Sequence, residues 1–245
     1  MPKYNFEFYC RNNKDDFKIM TIHEQNIIEK RFIPKEDIVV DIGAHIGLYT
    51  IIASKRVGLN GKVIAIEADP CNFDILKRNI QLNKLTNVIA LNYVVYSREE
   101  KKKRLYLPGS EAEVGKEATA ESGLGSGFTT YNTVMSNFVK PYEKFIEVAT
   151  NTLDNILLQL NEIITLEKVN WIKIDVEGAE FEVLKGARKI LSQNKDIAIL
   201  IELHGSPYDY KPKVEEELTK LYNFKIEFEQ SYVENGSMHM ILRKS

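Results

Sequence analysis

Short apolar runs alternate along this chain with longer amphipathic stretches. Ile38-Val39-Val40 leads into Asp41, followed by Gly43, Gly47 and an amphipathic segment. That pattern predicts a strand, a tight turn and a helix start. Gly58 and Gly61 then mark a turn before Lys62 to Ala68, a second buried strand ending in Glu67. Pro70 starts a helix through Asn83, with apolar residues at Phe73, Leu76, Ile80 and Leu82. Val88 to Tyr96 is a third strand. Strands interleaved with helices imply a doubly wound, mostly parallel sheet.

After Arg98 the pattern breaks. REEKKKR reads as a solvated turn, Arg104 to Pro108 as an edge strand, and residues 109–136 as a loop rich in Gly, Ser, Thr, Ala and Glu. Long loops inside a domain are commonly functional or disordered, and a substrate lid is favoured over an inert insertion. Phe145 to Ala149 resumes as a strand. Leu153 to Leu160 is a short helix, capped at Thr152 or Asp154. Trp171 to Val176 is a buried strand with Asp175 at its tip. Glu177-Gly178 turns into a helix carrying Phe181, Val183, Leu184, Ala187 and Ile190. Ile197 to Leu203 is a further strand, followed by His204. Lys213 to Tyr222 is helical. Phe224 to Gln230 and Ser237 to Arg243 form an antiparallel hairpin around Asn235-Gly236. Upstream, Ile19 to Phe32 carries a helical apolar face and the acid Glu24. Residues 1–37 are thus an entry segment, and 38–245 one α/β domain with an insertion at about 98–144.

Composition narrows the setting. The 245 residues are 44% apolar, enough for one full core, and the net charge of −2 is not that of a nucleic-acid binder as a whole. Cys10 and Cys71 have no metal-ligand spacing and form no disulfide framework, which fits a reducing compartment. No apolar run approaches the roughly 20 residues of a membrane span, and the polar start is not a signal peptide. A cytoplasmic protein is expected.

In a doubly wound sheet the ligand lies at the carboxyl ends of the strands, so the acids there carry the chemistry. Glu67 lies 20 residues after Gly47, where nucleotide-binding folds hold ribose hydroxyls. The spacing of Gly43 and Gly47 is not the dinucleotide G-x-G-x-x-G. That spacing and the terminal hairpin both argue against an NAD oxidoreductase. Asp175 and Glu177 fall on the rim that carries Asp41 and Glu67. Glu202 and His204, two apart on a strand, point the same way. Asp175 and Glu177 with Glu202 could supply oxygen ligands to a metal, but no spacing compels one and none is assigned.

VVDIGAHIGLYT, VIAIEADP, WIKIDVEGAEFEVLKGA and IELHG together resemble the FkbM-type methyltransferases, over roughly Val39 to Gly205 apart from the region of the insertion. The resemblance implies a Rossmann-like class I fold, its seven-stranded sheet ending in the antiparallel hairpin. It also implies methyl transfer from S-adenosyl-L-methionine, usually to a hydroxyl oxygen, leaving S-adenosyl-L-homocysteine. By position it implies that Asp41, Gly43, Ala44, His45 and Gly47 line the methionine side of the cofactor. Glu67 then takes the ribose. Ser97 stands where the family often has an acid near the adenine, and Asp175, Glu177 and His204 face the substrate.

A weakly acidic hydroxyl needs a base as the new bond forms. His204 or Asp175 is the expected base, with Glu177 orienting. The expected acceptor is a sugar, a glycan or a natural-product scaffold. No N-P-P-Y or D-P-P-Y motif points to amino methylation. Two other readings are an RNA ribose methyltransferase using the Lys101 to Arg104 patch, and a non-catalytic adenosylmethionine-binding module.

Overall fold

The computed structural model describes residues 5–11, 36–107, 144–204, 207–232 and 237–245. The expected helix at Ile19 to Phe32, the 109–136 loop and the Asn235-Gly236 turn fall outside the described residues. The elements are β1 (Ile38–Ile42), α1 (Leu48–Val57), β2 (Lys62–Glu67), α2 (Pro70–Leu82), β3 (Val88–Asn92), β4 (Val94–Val95), β5 (Glu100–Leu107), β6 (Lys144–Asn151), α3 (Leu153–Gln159), β7 (Val169–Ile174), α4 (Glu180–Lys185), α5 (Arg188–Gln193), β8 (Ala198–His204), α6 (Pro207–Val214), β9 (Phe224–Tyr232) and β10 (Ser237–Lys244).

Seven strands form one sheet in the order β3-β2-β1-β7-β8-β10-β9. β1 pairs in parallel with β2 and β7, and β7 with β8. β10 is antiparallel to both β8 and β9. The order reverses between β1 and β7, so the crevice at their carboxyl ends is the switch point. β1 is buried along its whole length, because helices cover both faces of a parallel sheet. One core face gathers Val40, Ile42, Ile64, Ile172 and Ile199 with Leu153, Val183 and Leu184. The other gathers Val39, Val63 and Trp171 with Leu48, Tyr49 and Ile52 of α1. Among the described residues, no helix is long and apolar enough to cross a membrane.

Three expectations need correction. The third strand does not run to Tyr96; it ends at Asn92, and Val94–Val95 joins a separate small sheet of order β4-β6-β5. Asn92 breaks the run because its side chain donates to the carbonyls of Glu67 and Ala68, 2.8 and 3.0 Å away. The charge run is not a turn. Glu100–Leu107 is a strand antiparallel to β6, with Lys102 on Glu147 at 2.5 Å, Lys103 over the Tyr96 ring and Arg104 over Phe145. An exposed strand of a small sheet tolerates a long polar sequence when cross-strand partners match its charges. The helix after Gly178 is two short helices that break at Gly186.

Thr152 is the cap of α3, accepting from Asn155 N at 3.1 Å. Asp154 instead accepts from the amides of Lys189 and Ile190 at the start of α5, at 2.8 and 3.0 Å.

Candidate active site

The turn after β1 is shaped by its neighbours. Gly43 has φ +74°, and a Cβ there would lie 1.8 Å from the carbonyl oxygen of Asp175. The tips of β1 and β7 come that close because Asp175 N donates to Ile42 O at 3.1 Å. At Gly47, φ +97°, a Cβ would press on Leu76 of α2 at 2.6 Å. Gly43 is therefore required by the backbone of Asp175, whereas at Gly47 the neighbour is the end of a leucine side chain and the left-handed φ is what calls for glycine.

Asp41 is fully buried. Its Oδ2 accepts from the Thr50 hydroxyl at 2.6 Å, and its Oδ1 faces Lys173 Nζ at 3.6 Å. Burial raises its pKa, against the pull of Lys173 and Thr50. The side chain braces the turn from behind. Lys173 was not singled out from the sequence. Its Nζ also donates to Gly43 O at 2.8 Å and lies 3.2 Å from Asp175 Oδ2. One ammonium thus ties both strand-tip acids to the glycine turn.

Glu67 sits at the tip of β2, nearly buried. Its two oxygens accept from the backbone amides of His45, at 2.7 Å, and Asp69, at 2.9 Å. Burial first, then the charge of Asp69, pushes its pKa up to about 7. His45 takes a left-handed backbone, φ 51°, to present that amide. Asn79 of α2 fastens this corner. Its amide nitrogen donates to Ile46 O and to Tyr9 O, and its oxygen accepts from Tyr9 N. Ser97 donates to Glu182 Oε2 at 2.5 Å, so its hydroxyl hydrogen is already committed.

The tips of β7 and β8 form the other half. His204 is surrounded by carboxylates. Its Nδ1 donates to Glu180 Oε1 at 2.8 Å. Its Nε2 faces Glu177 Oε2 at 3.3 Å, Glu202 Oε1 at 3.7 Å and Asp175 Oδ1 at 3.9 Å. Glu202 in turn pairs with His239 of β10 at 2.9 Å. Burial pulls the His204 pKa down. The Glu180 hydrogen bond and the charges of Glu177, Asp175 and Glu180 outweigh it and raise the pKa to about 10. Burial tends to raise Glu202, but the bond and charge of His239 hold it down at about 2. Glu177 takes a left-handed backbone, φ 51°, which turns its carboxylate toward the imidazole.

The sequence-predicted residues thus fall into two groups. Gly43, Ala44, His45, Gly47 and Glu67 meet at one corner. Asp175, Glu177 and His204 meet at the other, and Lys173 bridges the two. Glu180 and His239 were missed. Glu180 reads as an ordinary helix acid, and His239 alternates with apolar residues in a terminal strand. In the basic patch, Lys102 pairs with Glu147, Lys103 lies over the Tyr96 ring and Arg104 over the Phe145 ring.

A parallel sheet with a glycine turn after β1, an acid at the tip of β2 and an antiparallel end strand defines the class I methyltransferase fold. The solved precorrin-6y C5,15-methyltransferase of Geobacter metallireducens shares this fold. It covers 98% of this chain and 95% of its own, with a TM-score of 0.51 and 15% identity. Residues 41–233 match the methyltransferase FkbM domain, and the chain belongs to that family. Methyltransferase sdnD of Sordaria araneosa is 32% identical over 165 residues, which cover 63% of this chain and 61% of that protein. Methyltransferase 1 of Beauveria bassiana is 26% identical over 190 residues, which cover 74% of this chain and 72% of the relative.

Proposed function

We propose that the chain is an S-adenosylmethionine-dependent O-methyltransferase acting on a hydroxyl of a sugar, glycan or natural-product-type acceptor. One observation carries this reading. The rim of a family-matched methyltransferase sheet gathers Glu67 on one side of the glycine turn and Asp175, Glu177 and His204 on the other. Bound there, S-adenosylmethionine would supply a methyl group on a cationic sulfonium.

The residues fit that group. Each Glu67 oxygen has one backbone donor and keeps a second acceptor position, which suits the paired hydroxyls of a ribose. The Gly43 to Gly47 turn would hold the methionine end, with Asp41 behind it. Ser97 would meet the adenine through its oxygen alone. In this arrangement His204 is not the base, because it keeps its proton to about pH 10. In the metal-free site the acceptor's proton passes instead to a carboxylate oxygen of Asp175, or to Glu177 above about pH 8, to which burial and then the neighbouring acids raise it against the pull of His204. The imidazolium holds those two in place. Neither Cys10 nor Cys71 is in a disulfide, which is compatible with the reducing, cytoplasmic setting we favour.

Calorimetric titration with S-adenosylmethionine and S-adenosylhomocysteine tests the reading. We expect both to bind the wild-type chain, and Glu67→Ala to lose about 1.5–3 kcal/mol, the scale of a hydrogen bond to a charged group. Hydroxyl donors favour the ionised carboxylate. Affinity should therefore rise from pH 6 to pH 8 as Glu67 ionises around pH 7, and level off above. Failure of either ligand to bind would overturn the cofactor assignment. Binding with no turnover on a panel of hydroxyl acceptors would leave a non-catalytic module.

A further inference from the structure

The outward nitrogen of His204 has an unusual set of neighbours. Carboxylate oxygens of Glu177, Glu202 and Asp175 stand around Nε2 at 3.3, 3.7 and 3.9 Å. All three are longer than a good N–H···O bond, so none of these three oxygens takes up the Nε2 position. Two donors on one metal ion, each about 2.1 Å from it, lie roughly 3.0 Å apart at right angles and 4.2 Å apart when opposed. The distances from Nε2 fall in that range. One ligand atom each from Asp175, Glu177 and His204 all lie within 4.8 Å of one another.

We propose that Asp175, Glu177 and His204 bind a divalent cation of the first transition row, Mn²⁺ in type, through two carboxylate oxygens and the imidazole Nε2. The ring is already set for this. Metal-bound histidines characteristically give their other N–H to a carboxylate, which fixes the tautomer and the ring angle. Here Glu180, wholly buried, holds Nδ1 at 2.8 Å and the amide of Gly178 at 2.9 Å. Its second oxygen, Oε2, has no hydrogen-bond partner among the described residues. A fully buried carboxylate aimed at an imidazole is costly unless the ring it supports carries positive charge, and a cation on Nε2 supplies it.

The ligand set selects the ion. Two carboxylates suit Mg²⁺ or Mn²⁺, and an imidazole moves the preference toward the transition row. Lys173 pairs with Asp175 Oδ2, leaving Oδ1, the oxygen that faces His204, for the ion. The cation would replace the proton on Nε2. Three protein ligands leave positions open for water and for an acceptor oxygen. A hydroxyl bound there would give up its proton more readily. That role rests on the methyl-transfer reading above; the binding itself does not.

The full chain, treated with chelator and dialysed, should be titrated with MnCl₂ while free Mn²⁺ is followed by electron paramagnetic resonance, with no cofactor or acceptor present. We expect one Mn²⁺ per chain. Glu177→Gln should weaken binding at least about 10-fold, and Glu180→Gln about 10–100-fold although it does not touch the ion. No stoichiometric binding at millimolar Mn²⁺ would overturn the site, as would affinity unchanged by Glu177→Gln. The wild-type titration and the Glu177→Gln variant decide the matter even if Glu180→Gln does not fold. For the role, chelation should abolish turnover and Mn²⁺ restore it; turnover indifferent to chelation would overturn the role whatever the titration shows.

Discussion

Lys173→Met is expected to destabilise the fold by about 3–5 kcal/mol, the range for removing one partner of a buried ion pair. Met matches the length of the lysine stem, so the loss is chiefly electrostatic. It leaves Asp41, fully buried, with the Thr50 hydroxyl as its remaining partner. It also removes the link from Gly43 O to Asp175. In a domain of this size about 2–4 °C of melting temperature accompanies each kcal/mol, so the transition should fall by roughly 6–20 °C. Asp41 already has a raised pKa, and without the ammonium it rises further. A raised carboxyl stabilises the folded state most below its unfolded pKa, and that stability is lost as pH rises through the folded value. The deficit of Lys173→Met should therefore shrink as pH falls from 8 to 5. Asp41→Asn in the same chain should recover more than half of it, since the buried charge is then gone. Equal melting temperatures for Lys173→Met and wild type would show that the ammonium is not what holds the turn.

Lys173 also shows where the sequence is legible and where it is not. β1, β2, β7 and β8 are evident from their apolar runs, because a strand covered on both faces has little choice of residue. The strand-tip acids Glu67 and Asp175 are evident for the same reason, as the first charges after such a run. Lys173 interrupts its run, and nothing local says that it reaches across to Asp41 and Gly43 instead of to water. Glu180 looks like any acid in the first turn of a helix, yet it is fully buried because His204, 24 positions later, comes to meet it. The charged strand β5 was hidden because its partner, β6, lies beyond the insertion. Each of these depends on a contact between distant segments, which residue periodicity cannot report. The glycines were legible as a turn, but their cause was not. A ligand's approach and the approach of β7 call for the same residue, and the neighbour at Gly43 is Asp175.

His204→Ala should lower turnover by up to about 10²–10⁴-fold, the usual worth of acid–base catalysis, because it disables the carboxylates that take the proton, while cofactor affinity stays within about twofold because Glu67 and the glycine turn lie at the other corner. The imidazole is the shared neighbour of Asp175, Glu177, Glu180 and Glu202. Without it these like charges repel, and Glu177, which burial already raises to about 8, holds its proton to still higher pH. A protonated Glu177 cannot accept one from a hydroxyl, so the loss should appear in kcat more than in KM. Burial pulls the His204 pKa down, but the Glu180 hydrogen bond and the charges of Glu177 and Asp175 raise it from 6.5 to about 10. In chelator-treated protein, that stabilisation is complete below pH 6.5 and is lost as pH rises through 10. The difference in melting temperature between wild type and His204→Ala should accordingly narrow between pH 7 and pH 10. A histidine that only filled space would give a deficit independent of pH and a nearly normal kcat. Either of those results would remove His204 from the chemistry and leave Asp175 and Glu177 to act without it.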